Sequence, residues 1–129
     1  MQYVSWKQGD PLVGGVDQQA IKPKTWTLLT FGKNGSLIKP TADALAHLGA
    51  YINITDDGGA KQVMVRFIRD PKGAADFTGA ITFDATAGHI FSHMWMLQAK
   101  KGVTLGVQVY HDGAKPMKIG TRELKAAIG

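Results

Sequence analysis

Four histidines, His47, His89, His93 and His111, are the side chains in this sequence best suited to hold a metal ion or relay a proton. His89 and His93 stand four residues apart, a spacing that on a helix brings two imidazoles to one ion. Their surroundings, Ile90 to Gln98, read instead as a strand, on which positions 89 and 93 share a face but lie about 13 Å apart. Two ligands that far apart cannot meet one metal. No Glu completes a zincin pattern, and the absence of cysteine removes every thiolate site and any disulfide framework. His89 and His93 are therefore expected to be structural residues near a sheet edge or subunit interface, and His47 and His111 to lie at the surface or in turns.

The other candidates fare no better. Ser5, Ser36 and Ser92 lack the Gly-x-Ser-x-Gly setting of a nucleophile elbow. Asp56, Asp57, Asp70, Asp76 and Asp84 fall at turn positions, where aspartate bonds local amides. Asp56-Asp57-Gly58-Gly59 also lacks the spaced oxygen ligands of a calcium loop. Neither Gly14-Gly15 nor Gly58-Gly59 joins a buried strand to a helix as a phosphate cradle does. Arg66, Arg69 and Arg122, with Trp and Tyr nearby, could offer sugars or nucleic acid a basic aromatic surface. Arginines on sheet faces more commonly pair with acids or neighbouring subunits, and Trp26 and Trp95 sit in apolar runs as core residues do. No catalytic residue, cofactor site or metal site is assigned, and the chain is expected not to be an enzyme.

The elements that would carry these residues are strands. From Trp26 onward, short runs rich in β-branched and aromatic residues alternate with Gly, Asp, Asn and Pro clusters, the pattern of an all-β antiparallel sandwich or jelly roll of seven or eight strands. Expected strands are Trp26 to Phe31, closed by Gly32-Lys33-Asn34-Gly35, then Tyr51 to Thr55, Gln62 to Arg69, Ala80 to Phe83, Ile90 to Gln98 and Thr104 to His111. Ile90 to Gln98 is apolar on both faces and is placed centrally. Met117 to Lys125 is read as a last strand in preference to a short helix, and Thr41 to Leu48 as one or two helical turns between Pro40 and Gly49. The expected core is Trp26, Leu28, Val63, Val65, Phe67, Trp95, Leu105, Val107 and Val109.

With 129 residues, 44% of them hydrophobic, the chain has the size and apolar content of one self-sufficient domain. No run of about 18 apolar residues suggests a membrane span, and no secretory signal is read. A net charge of +5 favours acidic partners, but the basic residues are scattered and not clustered as in a nucleic-acid footprint. Neither nucleic acid nor membrane is expected as a partner.

Residues 1–24 differ in texture from residues 25–129. Gly9-Asp10-Pro11, Gly14-Gly15 and Lys22-Pro23-Lys24 interrupt apolar residues that follow neither the helical nor the strand period. This stretch is read as an extended N-terminal assembly arm preceding the sandwich domain. Tyr3, Trp6, Leu12, Val13, Val16 and Ile21 would dock it on another subunit, or on its own domain as an edge-covering strand. On the first account, a chain lacking the arm stays folded but does not assemble.

The stretch Val65-Arg66-Phe67-Ile68-Arg69-Asp70-Pro71, followed by Asp76-Phe77-Thr78-Gly79, Trp95, Gly106 to Gly113 and Thr121-Arg122-Glu123-Leu124-Lys125, resembles small β-sandwich minor tail proteins of long-tailed bacteriophages that infect actinobacteria. The similarity spans roughly residues 25 to 126. It implies a virion component made in the bacterial host cytoplasm, acting in tail assembly or host-surface contact. It further implies a jelly roll similar to that of tumour necrosis factor-like trimers, with copies of itself, other virion proteins and a host-surface glycan as partners. A capsid decoration protein and a carbohydrate-binding module are the competing readings.

Overall fold

A computed structural model describes residues 2–7, 18–31, 37–73, 75–85 and 90–129, with backbone alone for Gln2, Trp6, Lys7, Phe77, Ile90 and Phe91. Among the described residues there are nine strands and no helix: β1 (Gln2–Lys7), β2 (Gln19–Ile21), β3 (Thr27–Leu28), β4 (Ala44–Asp56), β5 (Gln62–Arg69), β6 (Asp76–Asp84), β7 (Ile90–Ala99), β8 (Leu105–His111) and β9 (Met117–Ile128). They form two packed antiparallel sheets in a jelly roll. One has the order β1-β9-β4-β7, with β2 also paired to β9, and the other the order β3-β8-β5-β6.

The alternating runs decide the interior. Val63, Val65 and Phe67 of β5 sit beside Val109 and Val107 of β8 through the pairs Val65↔Val109 and Phe67↔Val107, and all five are buried with Leu105. Ala46, Leu48, Ile52 and Ile54 of β4 and Leu124, Ala126 and Ile128 of β9 close the core from the other sheet.

Several expectations are corrected. Thr41 to Leu48 does not form helical turns: Ala44 to Gly49 belongs to β4, with Ala46 and Leu48 buried and Leu45 and His47 exposed. Pairing on both sides, to β7 and to β9, overrides the helical propensity of Ala and Leu. Gly49 does not end the element either. It leaves room for the Lys125 side chain, which would lie 3.1 Å from a Cβ at that position.

Ile90–Ala99 is an edge strand and not a central one, since its described ladder runs to β4 alone. Trp95 is 43% exposed at that edge, and Trp26 and Leu28 are only half-buried. The first expected strand shrinks to Thr27–Leu28, after which Leu29 and Phe31 turn into the core in their place. The C-terminal segment is a strand of twelve residues.

Residues 1–24 contribute two strands to the sandwich itself. β1 pairs with β9 from Gln2↔Ile128 to Lys7↔Glu123, and β2 from Gln19↔Ile119 to Ile21↔Met117. Ile21 is fully buried, Val4 packs against the core, and Tyr3 points to solvent. Leu12, Val13, Val16, Gly14-Gly15, Gly32-Lys33-Asn34-Gly35, Ser36 and His89 lie outside the described residues, as does the Trp6 side chain.

The aspartates at turns do what turn aspartates do. Asp56 Oδ1 accepts from Gly58 N–H at 3.0 Å and Asp57 Oδ1 from Gly59 N–H at 2.8 Å, at two glycines with φ of 62° and 76°. Asp112 Oδ1 accepts from both Lys61 N–H and Gln62 N–H, tying the end of β8 to the start of β5. The amides of Gln62 and Lys61 hold the Asp112 carboxyl below its ordinary value of 3.8. A depressed folded-state pKa stabilises the fold above the unfolded value, and that contribution is lost as pH falls through the folded one. Asp112→Asn, which keeps the acceptor oxygen and removes the charge, is expected to lower the melting temperature at pH 7. The gap should close as pH drops through the acid range. A gap that is independent of pH from 7 to 2 would refute the assignment.

Candidate functional site: an apolar sheet face

Alternate residues of β4, namely Leu45, His47, Gly49 and Tyr51, point away from the core. Antiparallel register sets Met96 beside His47, Met94 beside Gly49 and Ser92 beside Tyr51 on β7. On the other flank, Ala127, Lys125 and Glu123 of β9 occupy the same rungs, and Tyr3 and Ser5 of β1 lie beyond Ala127 and Lys125. Small residues at Gly49, Ala127 and Ser5 leave hollows between the larger side chains. The largest, about 480 Å³, is lined by Tyr51, Ser92, Met94, Glu123 and Lys125, and adjoining hollows reach Tyr3, His47 and Met96.

Tyr3 is 76%, Met94 71% and Met96 56% exposed on this face. The adjacent edge strand β7, IFSHMWMLQA, contains no Lys, Arg, Asp or Glu. Natural sheet edges are normally guarded by charge, proline or a bulge. An apolar face running up to an edge strand with no charged residue of its own is suited to contact with another protein surface, with Arg69 of β5 reaching only its Gln98 end. Among the described residues no three His, Asp or Glu side chains gather as metal ligands would.

His93, His111, Arg69 and Arg122 are built into the framework. His93 points inward at the open side of the sandwich, with Nε2 2.6 Å from the Gly79 carbonyl oxygen and its ring stacked on Phe67 at 5.4 Å. Trp95 covers Gly79, where φ is +68° and a Cβ would come within 2.6 Å of the indole. This agrees with a structural histidine at a sheet edge. His111 corrects the expectation of a surface or turn residue, because it is fully buried. Gly113 N–H donates to its Nδ1 at 3.1 Å, so Nε2 carries the proton and donates to the Ile21 carbonyl at 2.8 Å.

Arg69 pairs with Asp76 and donates from Nη1 to the Gln98 carbonyl at 2.8 Å, linking the two sheets. Arg122 is 1% exposed and donates to backbone carbonyls inside the sandwich. Arg66 lies on the outer face of the four-stranded sheet, over Trp26. Sequence reasoning missed the exposed face of the five-stranded sheet. The signal was present in a β7 apolar on both sides, but it was read as centrality.

No family model matches the chain, and no curated protein matches it. Solved structures with the same fold include murine APRIL at pH 8.0, with a TM-score of 0.60 at 11% identity over 97% of this chain and 98% of that one. A carbohydrate-binding module from Cellvibrio mixtus lichenase 5A in complex with cellotriose matches with a TM-score of 0.51 at 11% identity, covering 94% and 95% of the two chains. A chain of infectious bursal disease virus, Gx strain, gives 0.54 at 9% identity over 99% of this chain and 32% of that one. At these identities the likeness is one of fold.

Proposed function

We propose that this chain is a non-enzymatic structural subunit of a virion, a minor tail protein that assembles with copies of itself through the outer face of its five-stranded sheet. One observation carries the reading: Met94 and Met96 of the edge strand β7 and Tyr3 of β1 stand exposed on one outer sheet face, and β7 has no Lys, Arg, Asp or Glu of its own to discourage pairing. Fully burying one such side chain is worth on the order of 1.5 to 3 kcal/mol, and a symmetric contact counts each of them in every copy. The likeness to a viral chain and to a carbohydrate-binding module supports a structural or binding role in general terms. The phage-tail reading rests on the sequence resemblance, and a trimer is the assembly that resemblance implies.

Light scattering on the purified chain is expected to give a mass near three times the 13.9 kDa of one subunit. Met94→Glu places a charge in the middle of the contact and should yield a folded monomer. A parent chain that is monomeric at 100 μM (roughly a Kd above the range of specific interfaces), or a Met94→Glu protein of unchanged mass, overturns assembly through this face. Immunogold labelling of intact particles separates the particle roles: label at the tail tip supports a minor tail protein, label over the shell a decoration protein, and label on neither removes the virion reading.

A further inference from the structure

The outer face of the four-stranded sheet has a different chemistry. At its centre Trp26, expected in the core, and Arg66, expected in an ion pair, stand together with Gln108 and Tyr110: Trp26 precedes β3, Arg66 is on β5, and Gln108 and Tyr110 are on β8. The Arg66 guanidinium carbon lies 3.8 Å from the centroid of the Trp26 ring, and Arg66 Nε donates to Gln108 Oε1 at 2.7 Å. The Trp26 and Tyr110 rings are 5.5 Å apart and tilted by 44°. All four side chains are half-buried, neither sealed into the core nor loose in water.

We infer that Trp26, Arg66, Gln108 and Tyr110 form a binding site for an acidic polysaccharide, one bearing uronate carboxylates. Aromatic rings offer flat apolar faces on which the C–H faces of a pyranose ring stack, and the guanidinium is a planar fork matched to a carboxylate. Stacking on Trp26 and the bond to Gln108 fix the Arg66 side chain before any ligand arrives, which lowers the ordering cost of binding. Arg66 is half-buried, and partial burial around the guanidinium makes charge pairing stronger than in bulk solvent.

The charges around the site favour an anion. Lys22 and Lys24, both exposed, lie on the segment tied to the end of β8, where Lys24 N–H donates to the His111 carbonyl and the Ile21 carbonyl accepts from the His111 ring. Of the carboxylates on this sheet, Asp112, two residues from Tyr110, accepts from the Lys61 and Gln62 amides, Asp76 pairs with Arg69, and Asp84 stands opposite Gln62, about 13 Å along the strand from Arg66. The site lies on the sheet opposite the proposed assembly face. It does not depend on self-association, although assembled copies would present it repeatedly and gain avidity.

Titration calorimetry of the full chain, with a galacturonate oligosaccharide as the probe, tests the site. Binding is expected for the acid and not for its fully methyl-esterified neutral counterpart. Arg66→Ala and Tyr110→Leu should each weaken it tenfold or more. Arg66→Lys, which keeps the charge and loses the planar fork, should weaken it nearly as much, with melting curves confirming that each variant is folded. Met94→Glu should leave the affinity per subunit unchanged, so failure here and failure of the assembly face are read separately. No measurable binding, equal binding of the neutral oligosaccharide, unchanged affinity in the folded variants, or inorganic polyphosphate binding as tightly as the uronate would each overturn the proposal, the last by reducing it to net charge.

Discussion

Arg122→Leu is expected to melt well below the parent protein, by the equivalent of about 2 to 4 kcal/mol, since each buried acceptor stranded by the loss of its donor costs about 1 to 3 kcal/mol. Arg122 is the bulkiest of the fully buried side chains. Its Nε donates to the Thr30 carbonyl at 2.5 Å, Nη2 to Thr30 Oγ1 at 3.1 Å, and Nη1 to the carbonyls of Gly120 at 2.8 Å and Ile119 at 3.4 Å. Leucine fills part of the volume but leaves the buried Gly120 and Ile119 carbonyls without this donor, at about 1 to 3 kcal/mol for each that water cannot reach, whereas the exposed Thr30 acceptors can turn to solvent. Urea denaturation measures the effect directly through the midpoint, with the slope unchanged if the unfolded state is unaffected. Arg122→Lys should recover only part of the loss, because a single ammonium cannot span the carbonyls that a guanidinium fork reaches. A loss below about 1 kcal/mol in the leucine variant would show that these bonds are replaced by water and that the arginine is not a strut.

That strut was not legible in the sequence, and the reason is geometric. β9 buries Met117 and Ile119, then Arg122, Leu124, Ala126 and Ile128, so its inward parity changes between residues 119 and 122. The shift coincides with the register irregularity of β4 against β9 between Ile52 and Ile54. One added residue moves every later side chain to the other face. Between the pairs Ile52↔Arg122 and Ile54↔Ile119, β9 advances three residues against two of β4, and a pattern read along β9 alone does not mark where the extra residue falls. β5 and β8 were legible because they pair with each other without interruption from Val63↔His111 to Arg69↔Leu105, so alternation in sequence is alternation in space.

The candidate site was hidden for the opposite reason. In β7 the inward residues Leu97 and Ala99 and the outward residues Met94 and Met96 are alike in hydrophobicity. Hydrophobicity on both faces of a strand is the mark of a buried strand only when both faces are covered by the same chain. Here one face has no cover among the described residues, and the sequence does not distinguish a neighbour in the same molecule from one in another. Trp26 and Trp95 misled similarly, since a large aromatic ring at a sheet edge or under a guanidinium has the same local sequence as one in the core.

Deletion of residues 1–24 is expected to abolish folding rather than merely prevent assembly, a reversal of the outcome anticipated for a detachable arm. The deletion strips β9 of both strands on one side, from Gln2↔Ile128 to Lys7↔Glu123 and from Gln19↔Ile119 to Ile21↔Met117. It removes Ile21 from the core, at about 1.5 to 3 kcal/mol. It also leaves the buried His111 Nε2–H without the Ile21 carbonyl, at about 1 to 3 kcal/mol. Gln19 goes with it, and its side chain donates to the Leu28 carbonyl at 2.8 Å and accepts from Thr30 N–H at 2.8 Å, holding the segment against which Arg122 is anchored. These losses together are comparable with the whole stability of an ordinary domain, about 5 to 15 kcal/mol. The bared side of β9 is also a template for aggregation. Circular dichroism of the truncated chain should show a loss of sheet structure or an insoluble product, and a synthetic peptide of residues 1–24 added during refolding should restore the fold. A truncated chain melting within a few degrees of the parent would mean that β1 and β2 are dispensable to the sandwich and free to act elsewhere. A chain that needs them leaves assembly to the exposed face of Tyr3, Met94 and Met96, where the β1 strand contributes its tyrosine to the contact only because it is already part of the sheet.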